Sequence, residues 1–304
     1  MSVKNYSVSL VITILNEVET LPDLLQAIDD QLVQPKEVII VDGGSTDGST
    51  ALVHQWIAAG TQQKRIFISC PGNISQGRNA GVARASYSLI AFTDAGCIPQ
   101  KKWLSALVKA LADSTDIVAG FYAGNPKTPF EAAVVPFVLV QPDQINPDTF
   151  LPATRSMLMR KKVWEELGGF QEHLRVSEDY VFAKQTLERG FSIQFAPQAI
   201  VLWNPRKTLV AFFKMVHDQA YFDQIGRVRR KKVDFIFYRY LLGFLIFIFT
   251  KSLFIVLIGV VVYLTWATLK HRNHMPKQGW YYLSLLQVTS DIAVMLGTIR
   301  ARAS

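Results

Sequence analysis

Between Val8 and Phe121, short runs of β-branched and apolar residues alternate with segments whose apolar positions recur every three or four residues. Val8–Leu15 reads as a strand. Leu21, Leu24, Leu25, Ile28 and Leu32 then mark one face of a helix over Thr20–Leu32, with Pro22 near its start, where a missing N–H is tolerated. Further strands are predicted at Glu37–Asp42, Arg65–Cys70, Ser88–Thr93 and Asp116–Phe121, and helices at Ser49–Ala59, Ser75–Ala85 and Lys102–Ala112. Strand and helix in turn at this rhythm predict an α/β fold on a mostly parallel central sheet flanked by helices. Residues 122–155 interrupt the rhythm. They are rich in Pro, Asn and Asp around a short apolar stretch, Ala132–Val140, and are predicted to form a long irregular segment of a binding surface. Beyond them, helices are predicted at Lys161–Leu167 and Asp179–Glu188, with an amphipathic segment at Leu209–Ile225. Phe191–Phe195 and Ala199–Trp203 read as two strands parted by Pro197.

After residue 226 the pattern changes, which divides the chain into residues 1–226 and residues 227–304. A basic cluster, Arg227, Arg229, Arg230, Lys231 and Lys232, opens the second part. Tyr240–Leu269 follows with Lys251 as its one charge, and Ser252–Leu269 carries none, which meets the length of a membrane-spanning candidate. As a single helix, Tyr240–Leu269 would be long for one upright crossing, and it is short for two. It is expected to form one crossing with an interfacial extension, or a hairpin of two short helices that does not fully cross. Trp280–Ile299, with Asp291 as its one charge, is a second candidate.

Charge sharpens this division. The whole chain carries a net charge of +8. Residues 227–304 hold twelve Lys and Arg against two Asp, and residues 1–226 hold twenty against twenty-two Asp and Glu. Basic residues joined to the most apolar part of the chain point to a membrane surface rather than nucleic acid. Basic residues also flank every apolar segment, so their distribution leaves the number of crossings open. The half-hydrophobic composition excludes a disordered chain. Cys70 and Cys97 stand apart from each other and from any metal-ligand spacing, as expected of reduced thiols in a cytosolic compartment. The Val8–Leu15 run is too short and too interrupted for an export signal.

The candidate chemistry gathers where strands should end. Asn16 and Glu17 follow the first strand, Asp42 closes the second, and Asp94 follows Ser88–Thr93. In an open parallel sheet, ligands bind at the carboxyl ends of the strands, so these side chains should converge on one crevice. Val41-Asp42-Gly43-Gly44-Ser45-Thr46-Asp47-Gly48 adds a glycine turn that lets the backbone approach a ligand, with Asp42 and Asp47 as acceptors for a base or sugar hydroxyl. It lacks the lysine of a phosphate-cradling loop and the spacing of a dinucleotide fingerprint. Gly77-Arg78-Asn79-Ala80-Gly81 opens a helix with an arginine suited to an anion.

Taken in order, SLVITILNE, VDGGSTDGS, GRNAGVARAS, FTDAGCIP and SEDYVF resemble the motifs of the family-2 glycosyltransferases, over roughly residues 7–225. The resemblance implies a GT-A fold, Rossmann-like with a mostly parallel central sheet, followed by C-terminal membrane helices. It implies inverting transfer of a sugar from a nucleotide-sugar donor to a hydroxyl of a lipid-linked saccharide, a lipid or a polysaccharide. Asn16, Glu17, Asp42 and Asp47 would line the nucleotide, Arg78 would lie near the diphosphate, and Asp94 near the ribose, the diphosphate or a metal. Asp179 would be the general base that takes the acceptor proton, with Glu178 and His217 as candidates on the acceptor side. Gly96 takes the second acidic position of the family's DxD signature. A divalent cation, Mg or Mn, would therefore rest on Asp94 and substrate phosphates. The implied location is the cytoplasmic membrane, with the catalytic domain in the cytoplasm. Two alternatives compete with this reading: a non-catalytic membrane protein that binds a nucleotide sugar, and a nucleotidyltransferase on a similar fold.

Overall fold

The computed structural model describes residues 6–60, 63–228 and 230–303. They form two compact units, one within Met1–Ala123 and Ile145–Asn204, the other within Gly124–Gln144 and Pro205–Ser304.

The first unit is an α/β sheet of eight strands: β1 (Val8–Ile14), β2 (Glu37–Asp42), β3 (Lys64–Ser69), β4 (Leu89–Phe92), β5 (Cys97–Pro99), β6 (Ile117–Gly124), β7 (Met157–Arg160) and β8 (Ile193–Trp203). Their order is β3-β2-β1-β4-β7-β6-β8-β5. β3, β2, β1 and β4 run parallel, as the alternating pattern predicts. They are linked by α1 (Leu21–Asp29), α2 (Ser49–Ala58) and α3 (Ile74–Arg84), and α4 (Trp103–Ala110) follows β5. Every residue of β2 is buried, which explains its unbroken apolar run. Val11, Ile39, Val41, Val82, Phe92, Phe170 and Phe182 form the core around β1, β2 and β4.

The other half of the sheet is antiparallel. β7 pairs with β4 and β6, and β5 pairs with β8. β5 and β7 are short and were not foreseen. β8 is one strand where two were expected: Pro197 and Gln198 are both exposed, so the strand's alternation slips by one residue without ending. After β7, α6 (Lys161–Leu167) and α7 (Glu178–Glu188) stand where helices were predicted.

At the start of β2 the wholly buried Glu37 accepts from Ser9 Oγ at 2.7 Å, Ser86 N at 2.6 Å and Ser86 Oγ at 3.0 Å. Burial pushes its carboxyl up, but these hydrogen bonds outweigh burial and hold it below its ordinary range.

In the second unit the expectation of an irregular 122–155 segment is corrected by α5 (Pro129–Val138). Thr128 Oγ1 caps it by accepting from Glu131 N at 3.2 Å, Pro129 stands in the first turn, and Ala132, Ala133 and Val134 are buried. Pro136 comes late enough that the helix ends soon after it. α8 (Leu209–Ile225) packs on α11 (Trp280–Ala303) so closely that a Cβ on Gly297 would lie 2.3 Å from the His217 carbonyl oxygen.

The apolar stretch predicted over Tyr240–Leu269 is two helices, α9 (Lys231–Thr250) and α10 (Leu253–His271), broken at Lys251 with φ +46°. α9 begins nine residues before the apolar stretch, so a hairpin of helices too short to cross is corrected: each is ~30 Å long, the thickness of a hydrocarbon core. Lys232–Thr250, Leu253–His274 and Lys277–Ala303 are three segments long and apolar enough to cross a membrane. Almost none of the residues in the first two are buried, with Phe249 82% exposed and Phe254 71% exposed, whereas α11 is partly covered by α8. The wholly buried Asp291 of α11 accepts from Arg239 Nη2 at 2.5 Å, Tyr240 Oη at 3.1 Å, Gln287 Nε2 at 3.0 Å and Tyr263 Oη, which ties α9, α10 and α11 together.

Candidate active site

The loops that leave β1 and β2 are sewn to each other. Asn16 stands in the left-handed region at φ +56°, where Asn is tolerated. Its N–H donates to Ser45 Oγ at 2.9 Å, and its Oδ1 accepts from Thr46 N at 2.8 Å. Asp42, 4% exposed, accepts from Ser45 N at 3.0 Å, Ser45 Oγ at 2.6 Å and Thr50 Oγ1 at 3.2 Å. Asp47 accepts from Val18 N at 2.9 Å and from Ser49 N and Oγ, and Glu17 N donates to Ser49 Oγ at 2.8 Å. The structure thus brings Asn16, Glu17, Asp42 and Asp47 together at the carboxyl ends of β1 and β2. Their bonds also shape the loop, so the capping role that acidic residues often serve is present beside any ligand role.

α3 lies tightly on the sheet because it carries Gly77 and Gly81 one turn apart. A Cβ at Gly77 would lie 3.0 Å from Thr13 Cγ2, and one at Gly81 would lie 2.4 Å from Val11 Cγ1. A capping box fixes the start of α3: Asn73 Oδ1 accepts from Gln76 N at 3.1 Å, and Gln76 Oε1 accepts from Asn73 N at 2.9 Å. Ser75 Oγ donates to the Leu174 carbonyl at 2.8 Å, and Asn79 clamps Phe170 through N–H and carbonyl at 2.8 and 2.9 Å. These bonds bring the start of α7 to Arg78. Asn79 was read only as part of a motif, and its clamp on a segment ninety-one residues away has no local signal.

Arg78 is the centre of the cluster. Its Nη2 donates to Asp94 Oδ1 at 2.7 Å and its Nη1 to Glu178 Oε1. Burial opposes its charge, but the fields of Asp94, Glu178 and Asp179 outweigh burial and hold the guanidinium protonated more firmly than usual. Burial and the neighbouring Asp179 push the Glu178 carboxyl up, against the pull of Arg78. Asp179 is half-buried in the first turn of α7, and its carboxylate makes no ion pair among the described residues. Among the described residues, the second side-chain oxygen of Asp94 has no partner. Gly96 turns at φ +77°, and a Cβ there would lie 3.7 Å from Glu17 Oε2, so a carboxylate from another strand end stands beside the position that lacks one. Burial pushes the Cys97 thiol up to about 12, which leaves it un-ionised and inert at neutral pH.

Arg155, Tyr122 and Trp203 also face this site and were missed. The Arg155 guanidinium lies 5.5 Å from the Tyr122 ring centroid and 5.8 Å from that of Trp203. His217 belongs to the second unit, where its Nδ1 lies 2.9 Å from Asp218 Oδ1 and its ring stacks on Phe213.

Comparison with known proteins bears on this arrangement. The pattern described as "Glycosyl transferase family 2" matches residues 9–168. The chain is 28% identical over 200 residues to Glycosyltransferase AglE of Haloferax volcanii, covering 64% of this chain and 65% of that one. It is 35% identical over 118 residues to the undecaprenyl-phosphate 4-deoxy-4-formamido-L-arabinose transferase of Serratia proteamaculans, covering 36% and 35% of the two chains. This chain thus spans just under two thirds of the first relative and about a third of the second. Among solved structures it is similar to the mannosyltransferase PcManGT of Pyrobaculum calidifontis in complex with GDP-Man and Mn²⁺, with TM-score 0.66 at 14% identity, over 97% of this chain and 88% of that one.

Proposed function

This chain belongs to glycosyl transferase family 2, and from that premise we propose that it moves a sugar from a nucleotide-sugar donor to an acceptor hydroxyl at a membrane surface, with inversion. The observation that carries the reading is Asp179, a half-buried carboxylate that pairs with no cation among the described residues, beside acids that Arg78 holds in place. An acceptor hydroxyl is a poor nucleophile until a positioned base takes its proton. Asp179 takes it as the acceptor oxygen bonds to the anomeric carbon. The bond from that carbon to the phosphate oxygen breaks, and its electron pair leaves with the nucleoside diphosphate. Attack from the opposite face inverts the centre.

Asn16, Glu17, Asp42 and Asp47 form the nucleotide end of the cleft. Asp94 marks the diphosphate end, with Arg78 aligning it, and Glu178 acts through Arg78 as a positioning residue. A divalent cation suits this all-oxygen set: the uncommitted oxygen of Asp94, the Glu17 carboxylate and donor phosphates would hold it. Such an ion supplies positive charge to the leaving diphosphate.

The α9–α10 pair is the membrane-inserted part, because almost all of its apolar surface stays exposed. Arg230, Lys232, Lys270 and Arg272 flank its two ends. By the positive-inside rule that side is cytoplasmic, where nucleotide sugars are made. A membrane-held acceptor, lipid-linked or lipid, follows from this anchoring, and the Serratia relative is named for an undecaprenyl-phosphate substrate.

Thermal unfolding of the detergent-solubilised chain with UDP-, GDP- and dTDP-sugars, with and without Mn²⁺, tests the reading. One donor class should raise the melting temperature, since a ligand at a hundred times its Kd adds about 2.7 kcal/mol to the folded state. Folded protein that responds to none of them contradicts it.

A further inference from the structure

Two arginines face the acids of this cleft, and they are differently placed. Arg78 is spent: its side chain is 3% exposed and two carboxylates accept from it. Arg155 makes no hydrogen bond and no ion pair with any described residue. Its charge nevertheless lies in the fields of Asp94 and Asp179. Those two acids mark the diphosphate end and the base of the proposed reaction.

The position of Arg155 is built rather than incidental. The next residue, Ser156, is wholly buried and anchored on three sides. Its Oγ donates to the Ala199 carbonyl at 3.0 Å and accepts from Trp103 Nε1 at 2.9 Å, and its carbonyl accepts from Gly120 N at 2.8 Å. Gly120 has to be glycine for this: a Cβ there would lie 2.0 Å from Ser156 Oγ. The guanidinium then sits against two aromatic rings, Tyr122 and Trp203, both within the ~6 Å reach of a cation–π contact. Tyr122 is itself flanked by Phe121 and Phe150, each with ring centroids 6.3 Å away. Aromatic faces hold the cation without consuming its N–H donors, which remain available to a ligand. A planar fork of donors matches a phosphate group.

We propose that Arg155 is the side chain that binds the donor's diphosphate and stabilises it as it leaves. This inference rests on the donor-site reading above. As the sugar–phosphate bond breaks, its electron pair stays on the phosphate oxygen and the diphosphate gains one negative charge. The Arg155 N–H groups donate to that oxygen and its neighbours, and no proton is transferred from the arginine. Gly96 leaves the signature one carboxylate short for a metal, and a fixed arginine supplies cationic charge to the same group.

Calorimetric titration of the full chain in detergent tests this, with UDP and UMP, GDP and GMP, and dTDP and dTMP, in Mn²⁺ and in EDTA. In Arg155→Gln the diphosphate that binds should weaken about tenfold or more, while the matching monophosphate changes little. Arg155→Lys keeps the charge but loses the fork, so it should fall between. Circular dichroism checks each fold, and if the Gln variant does not fold, the Lys variant is judged by the same diphosphate-to-monophosphate ratio. Equal weakening of both nucleotides, or an unchanged diphosphate, overturns the role of Arg155 alone. A wild-type chain that binds none of the diphosphates overturns the donor site and this inference with it.

Discussion

At the scale of single residues, the same chemistry serves shape and function according to its partners. Asp42 and Asp179 are both carboxylates at strand or helix ends, yet three donors from Ser45 and Thr50 occupy Asp42, while Asp179 has no cation of its own among the described residues. Glu37 is the purely structural case, at the amino end of β2 and away from the strand ends that form the cleft. Its carboxyl is held below the ordinary value of 4.5, so the ionised form is favoured in the folded chain. A depressed acid contributes stability that is fully present above the unfolded value and is lost as the pH falls through the folded one. Glu37→Gln should therefore melt below the wild type at neutral pH, and the gap should close as the pH is lowered below 4.5. A gap that stays constant across that range would show that the Glu37 charge contributes nothing to the fold.

At the scale of elements, α3 is the part on which the site depends, because it sets the depth of Arg78 and the clamp of Asn79. Gly81→Ala adds a methyl 2.4 Å from Val11 Cγ1 and 3.2 Å from Val41 Cγ2. Alanine gains about 1 kcal/mol of helix propensity over glycine, while overpacking a core costs about 1–3 kcal/mol, so the net should be destabilising. A lowered melting temperature with weaker nucleotide binding is expected, and a variant that melts at or above the wild type refutes the close packing of α3. Much at this scale was legible in the sequence. Glu37–Asp42, Lys161–Leu167 and Leu209–Ile225 have the bounds their patterns predict. β5 and β7 were not legible, because three or four residues carry no periodicity and their pairing is set by distant strands. α5 was hidden by the prolines that open and nearly close it. Arg155 was invisible for a related reason: Tyr122 and Trp203, which seat it, lie far along the chain on either side.

At the scale of the whole molecule, α9 and α10 expose apolar side chains that water would reject. Asp291 of α11 is fully buried and paired with Arg239, as a charge deep among apolar helices must be. The sequence showed the apolar length but not the break at Lys251, whose left-handed backbone has no local residue signature. The proposed function joins a membrane hairpin and a donor cleft on one chain, with an acceptor held at the bilayer. The most direct test of that account uses the full chain in lipid nanodiscs, with the donor that the thermal panel identifies and a lipid-linked acceptor. The rate of transfer and the anomeric configuration of the product, read by NMR, are compared between the wild type and Asp179→Asn. The expected result is an inverted product from the wild type, with turnover lower by about 10²–10⁴-fold in Asp179→Asn while nucleotide binding is kept. A retained configuration, or equal turnover by both proteins, would contradict it.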